Sequence, residues 1–528
     1  MPKIPFYEAG ALGIIKDVEA HELPAQAWTD GAYIKFRDGK ALRRAGSQQR
    51  FPSHLGRPFW LMFTYTPVNA YWLYADETKV YATDGAVHAD VSHAAGAYSM
   101  INRERLWTGG ILKGIPVITN GVEVPQAWTN IGLSNDLVDL PNWPATHRAD
   151  VIKPFKDFLI ALSVTISGAK YGQMVLWSHP ADPGSLPISW DIADPTKLAG
   201  QVEAADEFAG GIKDGLALRD IFVVYKDNSI WGMQFIGGND VFRVYQILGG
   251  IGVLGTHCVC TVNKGTQHFF ASSDDLIVFD GQNTQSVLDK RMKSWLADNI
   301  DPGVASRAFV YSLERNNEAW FCFPMVDSEF CNMAIVWNWV ENTVTLRPMQ
   351  AASAASPGAG DTTSDPWDLD PAVWDGDSTP WDLLQFRVNQ LDALIASPGA
   401  DFGTSTIYQI DATNQVLGVD YIAYIERTDI PFAGLTPDGN PKADFSSRKI
   451  GTRIWPRMSG GPCQIKVGSH EDMDQPVDWE PFQTFTPGVD RYLDFTANGL
   501  LLAVRFEFTS ADNKLNGYDL TVEILGEI

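Results

Sequence analysis

Residues 221–236, IFVVYKDNSIWGMQFI, carry the pattern that decides the fold. An apolar run ends in the polar turn Lys226-Asp227-Asn228, and a second run rich in aromatic and β-branched residues follows it. Two such runs separated by a short polar turn are typical of a β-hairpin. The segment therefore predicts two antiparallel strands.

The same unit recurs along the chain as an inner strand, a polar turn, an aromatic strand and an exit that contains Gly. One such hairpin cannot bury both of its faces, whereas several arranged around an axis can. The sequence therefore predicts an all-β chain with a β-propeller core, and the irregular spacing leaves the number of blades open. The other copies are 33–44 (YIKFRDGKALRR, with an Asp38-Gly39 turn), 71–85, 268–281, and 319–324 with 334–346.

Helical patterns are sparse in this sequence. In 286–300 (SVLDKRMKSWLADNI) the apolar residues recur at helical spacing, and Ser286 is a candidate N-cap. Further helix candidates are 13–27 and 381–396.

Shifts in composition divide the chain. Residues 351–380 are rich in Ala, Ser, Gly, Pro and Asp without any period, which indicates an insertion or long loop. Beyond it strand patterns return, and the alternation in 501–508 (LLAVRFEF) predicts a sheet with one buried face. We expect an N-terminal strand and hairpin segment at 1–56, the propeller at 57–350, the acidic insertion at 351–400, and a C-terminal β-sandwich or barrel-like module at 401–528.

The composition is that of a folded chain with a strong acidic excess. The 528 residues include 64 Asp and Glu against 40 Lys and Arg, a formal net charge of −24. Proteins that grip nucleic acid need basic patches, so the charge argues against a broad nucleic-acid-binding surface. No run resembles a membrane span, because the most apolar run, 247–262, is short and broken by Gly and fits a buried strand pair.

The common catalytic and metal-binding motifs find no match in the sequence. It contains no HExxH, no GxSxG and no sialidase Asp-box, and 249–255 (GGIGVLG) lacks the strand–helix context of a dinucleotide site. His257 and His268 flank an apolar strand and are interpreted as core or turn residues. Cys258 and Cys260 have no second CxC or CxxC, which favours buried free thiols. We expect no enzyme activity, no cofactor, no essential metal and no disulfide.

Short motifs occur in a characteristic order along 28–349, and a weaker series follows along 449–528. The motifs along 28–349 are Trp28, YIKFRDG (33–39), Gly46, KPFKDFLIAL (153–162), VLWS (175–178), Trp190-Asp191, the stretch 216–237, VFRV (241–244), LIVFDG (276–281), Trp320-Phe321 and Val336-Trp337-Asn338. In this order the series resembles the tail nozzle, or packaged-DNA stabilisation, proteins of short-tailed phages.

That resemblance implies a structural virion protein. Six copies would form a ring below the portal and its adaptor, prolong the DNA channel, help retain packaged DNA and let it pass at ejection. The implied partners are further copies of the chain in a hexamer, the portal–adaptor ring, tail fibre or spike proteins, and viral double-stranded DNA that passes without sequence-specific binding. The implied location is the virion tail, after synthesis in the cytoplasm of the host bacterium. The acidic insertion and the extended C-terminal module depart from the family pattern.

Two other classes of function stay open. A receptor-binding or fibre-anchoring tail protein would explain Trp motifs exposed for contact. A carbohydrate-active propeller would explain the many aromatic residues, but it needs a clustered acid pair, which sequence alone cannot locate.

The acidic insertion is the candidate functional segment. A solvated loop is favoured over a calcium site, because the EF-hand order of ligands is absent. Its Pro, Gly, Ser and Asp cannot build a packed core, so we expect it outside the blades, either facing the channel as a gate or facing outward towards fibres or host. The candidate gate residues are Asp365, Trp367, Asp368, Asp370, Trp374, Asp375, Asp377 and Trp381.

Overall fold

The computed structural model of this chain describes residues 3–51, 53–66, 69–208, 210–358, 392–399, 404–473 and 475–527. Within these ranges strands predominate, and α1 (Lys293–Asn299) is the single α-helix. The strands form a propeller and a two-sheet sandwich, so the predicted fold class is confirmed. Short 3₁₀ turns lie at Ala20–Glu22, Gly238–Asp240, Ala305–Arg307 and Glu314–Asn316.

Seven four-stranded antiparallel sheets form the blades of the propeller. The N-terminal strands that precede them are β1 (Lys3–Tyr7), β2 (Asp30–Ala32), β3 (Ile34–Arg37), β4 (Lys40–Arg43) and β5 (Ser47–Gln49). Blade 1 comprises β6 (Trp60–Tyr65), β7 (Ala70–Ala75), β8 (Val80–Thr83) and β9 (His88–Asp90). Blade 2 comprises β10 (Thr108–Leu112), β11 (Ile115–Thr119), β12 (Gln126–Ala127) and β13 (Val138–Asp139). Blade 3 comprises β14 (His147–Phe155), β15 (Phe158–Ile166), β16 (Ala169–Trp177) and β17 (Gly200–Glu203).

The remaining blades continue in chain order. Blade 4 comprises β18 (Ile212–Leu218), β19 (Ile221–Lys226), β20 (Ser229–Phe235) and β21 (Phe242–Gly249). Blade 5 comprises β22 (Val259–Val262), β23 (Gln267–Ala271), β24 (Leu276–Phe279) and β25 (Thr284–Ser286). Blade 6 comprises β26 (Phe309–Leu313), β27 (Glu318–Phe323), β28 (Cys331–Asn338) and β29 (Thr343–Ala352). Blade 7 comprises β30 (Ala354–Gly358), β31 (Asp392–Ser397), β32 (Thr406–Ile410) and the N-terminal β5.

Apolar packing between neighbouring blades closes the ring. Buried side chains link blades 1 to 2, 2 to 3, 3 to 4, and 4 through 5 to 6. Blades 6 and 7 share a cluster that contains Trp320 and Tyr408, and blades 7 and 1 share one that contains Leu394 and Trp72. Every blade therefore buries both faces, as radial packing requires.

The last blade is completed by the start of the chain. Strand β5 pairs antiparallel with β32, with Ser47 opposite Ile410 and Gln49 opposite Tyr408. The ring is thus closed by hydrogen bonds between segments about 360 residues apart in sequence. A strand supplied from the far end of the chain locks the first blade against the last.

The second body is a sandwich of two six-stranded sheets, joined by a short ribbon. The C-terminal strands of sheet 1 are β36 (Ser447–Ser459), β40 (Leu493–Gly499) and β42 (Lys514–Glu527), and β1, β3 and β4 complete it. Those of sheet 2 are β33 (Ala423–Ile430), β37 (Cys463–His470), β38 (Asp478–Trp479), β39 (Gln483–Phe485) and β41 (Leu501–Phe508), and β2 completes it. The ribbon comprises β34 (Phe432–Leu435) and β35 (Pro441–Ala443).

Trp28 fills the sandwich core, and blade 6 carries the junction with the propeller. The Trp28 ring packs against Phe506 of sheet 2 and Tyr518 of sheet 1 at 6.1 Å between ring centres. At the junction, the backbone N–H of Ile14 donates to the carbonyl of Val344 at 3.0 Å. The hydroxyl of Tyr33 donates to a carbonyl of β29 at 3.2 Å. The N-terminal segment therefore contacts both bodies.

The domain boundaries differ from those expected from the sequence. Segment 1–56 is divided between the sandwich (β1 to β4) and blade 7 (β5) and forms no separate unit. In the expected insertion 351–400, residues 354–358 and 392–397 are blade strands, and 359–391 lie outside the described residues. The propeller therefore extends to β32, beyond the expected limit of 350. The shift in composition therefore reflects the segment that connects strands β30 and β31 of blade 7.

The helix predictions were largely wrong. Only 293–299 of the predicted 286–300 is helical, and 13–27 contains a single 3₁₀ turn. Of 381–396, the part from 392 onward is strand β31, and 381–391 lies outside the described residues. Strand β31 lies between β30 and β32, and its residues from Ala393 to Ala396 are buried on both faces. Tertiary packing overrides local helical spacing there.

A buried group of four charged side chains joins the N-terminal segment to blades 6 and 7. We call Arg44, Glu318, Arg347 and Asp411 the closure cluster. Arg44, 1% exposed, holds both carboxylate oxygens of Glu318, and its Nη1 lies 3.0 Å from Asp411. The Nη1 of Arg347 donates to the other oxygen of Asp411 at 2.5 Å. Two cations and two anions therefore balance one another away from water.

Trp320 and the pKa of Asp411 show how closely the closure cluster is coupled. The indole N–H of Trp320 donates to Glu318 at 3.1 Å, and both guanidinium groups lie over its ring. Burial alone would raise the pKa of Asp411, but Arg44 and Arg347 more than offset this and hold it below its usual value. The two guanidinium groups therefore stabilise the ionised form of Asp411.

Replacing Arg44 is the direct test of the closure cluster. Arg44→Met removes the guanidinium that pairs with buried Glu318 and leaves Arg347 paired with Asp411. We therefore expect the free energy of unfolding to fall by about 3–5 kcal/mol. Urea unfolding followed by tryptophan fluorescence measures the change.

Arg43 offers a matched control beside it. Its guanidinium lies over the Tyr421 ring and donates to the carbonyl of Asn414. Because this contact is exposed, Arg43→Met should cost about 1 kcal/mol or less. Equal losses for the two variants would contradict the role given to the closure cluster.

Candidate functional site: the two ends of the propeller channel

One interblade segment crosses the end of the central channel. Residues 101–107, here called the cap segment, lead from β9 of blade 1 to β10 of blade 2. They contact the loop before blade 5, the loop before blade 6 and the body of blade 3. Because blades 5 and 6 are neighbours of neither blade 1 nor blade 2 in the closed ring, the cap segment must span the channel.

Arg103 and Glu104 make the longest reach of the cap segment. Arg103 pairs with Glu77 of blade 1 and with Glu329 of blade 6, both at 2.6 Å. Glu104 accepts from the guanidinium of Arg307 at 3.0 Å and from the hydroxyl of Ser306. The hydrogen bond from Arg103 to Glu77 raises the pKa of the Arg103 guanidinium above its ordinary value. These ion pairs fasten blade 1 to blade 6 across the axis.

Arg105 fastens the cap segment to blade 3. Its guanidinium pairs with Asp150 of β14, which also pairs with Lys170 at 2.6 Å and accepts from Ser163. The carbonyl of Arg105 lies 3.1 Å from Nε2 of His257, so this nitrogen carries the proton. Each charged side chain of the cap segment is therefore paired with a side chain of opposite charge.

The opposite end of the channel carries a second chain of polar contacts. It runs through the turns that join the first two strands of successive blades. Lys113 of blade 2 pairs with Asp157 of blade 3, and Lys156 of blade 3 lies 3.7 Å from Asp220 of blade 4. Arg219 of blade 4 then donates to a carbonyl of blade 5 at 2.9 Å. From blade 2 to blade 5, each of these turns thus contacts the next.

The cap segment makes the propeller a closed block. A channel crossed by a chain segment and its ion pairs cannot pass a DNA duplex. Its polar groups are committed to one another, and no side chain of the cap segment presents a nucleophile beside a base.

The cysteines lie where thiolates are disfavoured. All five are free, and Cys258 donates to the carbonyl of Ala308 at 3.1 Å. Burial raises the pKa of Cys258 and of Cys463 to about 12, and raises that of Cys260, Cys322 and Cys331 further. A thiol with so high a pKa is a poor nucleophile at neutral pH.

Two further findings concern metals and membranes. Across the described ranges, no three His, Cys, Asp or Glu side chains gather where they could bind one metal ion. No helix in the part of the chain that the structure describes is long and apolar enough to cross a bilayer.

The sequence predicted gate residues in the acidic insertion and did not predict the cap segment. The eight gate residues, from Asp365 to Trp381, all lie outside the described residues. Sequence reasoning missed the cap segment altogether. Its signal is the charged run Arg103-Glu104-Arg105, which any solvated loop would also show.

Comparisons with known proteins add the propeller likeness alone. No family model and no curated protein matches the chain. Among solved structures, the propeller domain of Cps50 (Swd1) from Myceliophteria thermophila covers 70% of this chain and 100% of its own length at 9% identity and a TM-score of 0.38. The WD40 propeller domain of Doa1 covers 69% and 96% at 10% identity and 0.36. A protein assigned as a 6-phosphogluconolactonase from Bacteroides fragilis covers 55% and 81% at 9% and 0.33. Likeness at this level carries no argument about function.

His268 predicts a specific pH dependence of stability. It is fully buried, its Nε2 lies 3.0 Å from the carbonyl of Ala217, and its Nδ1 lies 2.8 Å from the hydroxyl of Tyr225. Burial lowers its pKa to about 4. The unfolded chain binds the proton first as the pH falls, so stability should fall between about pH 6.5 and about pH 4.

In the variant His268→Gln, the part of the pH dependence of stability that comes from His268 should be absent. Urea unfolding between pH 7 and pH 4.5 should give a smaller loss of free energy for the variant than for the parent, by up to about 1.4 kcal/mol per pH unit. Val262→Ala, a buried change in the same blade that removes no titratable group, is the matched control and should keep the parent slope. An unchanged slope in His268→Gln would show that His268 is not held neutral.

Proposed function

We propose that this chain is a structural, non-enzymatic subunit of the tail nozzle of a short-tailed phage, working in a ring around the path of the DNA. The capped channel is the observation that carries the proposal. A propeller that cannot pass DNA through its own axis serves as a solid block, and DNA then runs between blocks arranged around a shared axis. A closed cyclic ring of identical blocks needs only one kind of contact, repeated.

Three further features support a mechanical role. The motif order along 28–349 resembles that of tail nozzle proteins. The N-terminal segment ties the propeller and the sandwich together, so that forces on one body reach the other. The net charge of −24 makes the surface repel phosphate on average, which lets a duplex move past without being held.

The proposal includes the partners that such a ring needs. The chain would form a homohexamer in the virion tail, contact the portal–adaptor ring on one side and tail fibre or spike proteins on the other, and surround viral double-stranded DNA without reading its sequence. The subunits would be made in the cytoplasm of the host bacterium.

Electron microscopy of particles assembled with and without this chain tests the proposal. We expect a ring of six below the portal, with one seven-bladed propeller and one sandwich in each repeat, and DNA leaking from particles that lack it. A different symmetry would contradict the hexamer. Density at the fibre tips would identify a receptor-binding protein instead, and cleavage of host polysaccharide by the purified chain would identify an enzyme.

A further inference from the structure

The sandwich carries an apolar groove beside its ribbon. The groove has a volume of about 470 Å³ and lies between the turn that ends at Leu23 and Pro24, the ribbon β34–β35, and the residues around Phe445 and Met473. One wall is firmly held, because the carbonyl of Leu23 accepts from the guanidinium of Arg427 at 2.8 Å and Arg427 is 1% exposed. The groove is therefore built into the fold.

Large apolar side chains stand uncovered around this groove. Phe445 is 45% exposed and Met473 is 44% exposed, and both line it. Leu435, on the same ribbon, is 42% exposed. A single exposed apolar residue is ordinary, whereas several gathered at a concave site mark a surface that a partner covers.

The ribbon beside the groove has a free edge. Strand β35 pairs only with β34, and β34 pairs with no other strand in the described part of the chain. Ala443 of β35 also lines the groove. An extended segment could therefore pair with β35 while a side chain enters the groove, which is the geometry of strand addition.

The charge around the groove selects the partner. Two ionisable residues, His21 and Glu22, line the groove itself. The segments that form it, 19–24, 432–445 and 471–473, also contain the acidic residues Glu19, Asp438, Asp444, Glu471 and Asp472 and the basic residue Lys442. Of these, Glu471 pairs with Arg448. The Asp444 carboxylate accepts from the backbone N–H groups of Ser446 and Ser447. Because Glu19, Glu22, Asp438 and Asp472 still outnumber Lys442, a cationic segment fits and an acidic one is repelled.

From this groove, free edge and charge, we propose that the sandwich binds an extended, cationic segment of another protein. The segment adds to the edge of β35, seats a bulky apolar side chain against Phe445 and Met473, and places Lys or Arg beside Glu22 and Asp472. The binding requires only this chain and such a segment, so it stands apart from the proposed role in a phage tail.

Fluorescence anisotropy with the purified full chain tests the proposal. The probe is the fluorescein-labelled peptide Arg-Thr-Leu-Thr-Leu-Arg, which alternates apolar and polar residues as an added strand requires. We expect saturable binding that weakens with salt. Replacing both Leu of the peptide by Ser should weaken binding about tenfold, and replacing both Arg by Glu should weaken it at least as much.

Variants of the chain locate the binding. The double variant Phe445→Ser/Met473→Ser should bind the probe about tenfold more weakly, and Glu22→Gln about threefold more weakly. Val340→Ser and Leu525→Ser remove apolar residues that are 65% and 53% exposed elsewhere, and should bind as the parent does.

Three outcomes would overturn the proposal. The first is no saturable binding of the probe. The second is equal binding by the groove variants and the controls, or by the Glu-containing peptide. The third is self-association of the chain that the groove variants abolish and the probe does not compete, which would assign the groove to a second copy.

Discussion

The return of the N-terminal strand into the last blade is the constraint on which the rest of the structure depends. A propeller must join its last blade to its first, and here β5 does so by pairing with β32. The closure cluster holds the same junction, because Arg44 stands just before β5 and its carboxylate partners lie on blade 6 and just after β32. The four strands that precede β5 belong to the sandwich. The same N-terminal segment therefore closes the ring and attaches the sandwich to the propeller.

At both ends of the propeller channel, the charged side chains described above are paired with one another. The ion pairs of the cap segment cross the axis at one end, and the contacts between turns follow the ring at the other. Burial raises the pKa of the Cys258 and Cys463 thiols to about 12, so both are protonated at neutral pH. On the sandwich, by contrast, an apolar groove with exposed Phe445 and Met473 is open to solvent. In the proposed ring the propeller supplies stiffness, and the sandwich supplies contact with partners.

Local signals in the sequence were sufficient for the hairpins and insufficient for what joins them. Asp38 and Gly39 both have positive φ, 52° and 68°, as the predicted turn requires. The hairpin in 221–236 is strands β19 and β20. By contrast, the partners of β5, Arg44 and the cap segment lie far away in sequence, and a residue pattern does not encode which distant strand it will meet. The number of blades was hidden for the same reason, because the fourth strand of blade 7 precedes the other blades in the chain.

Native-state hydrogen exchange tests the central claim that the N-terminal segment holds both bodies closed. The backbone N–H of Arg50 donates to the carbonyl of Ile407 at 2.8 Å, and that of Ser47 to the carbonyl of Gln415 at 2.9 Å. If β5 locks the ring, amides in 47–50 should exchange as slowly as those of 407–410 in blade 7 and 502–506 in the sandwich, through one global opening. Exchange in 47–50 that is orders of magnitude faster than in the other two segments would contradict the account.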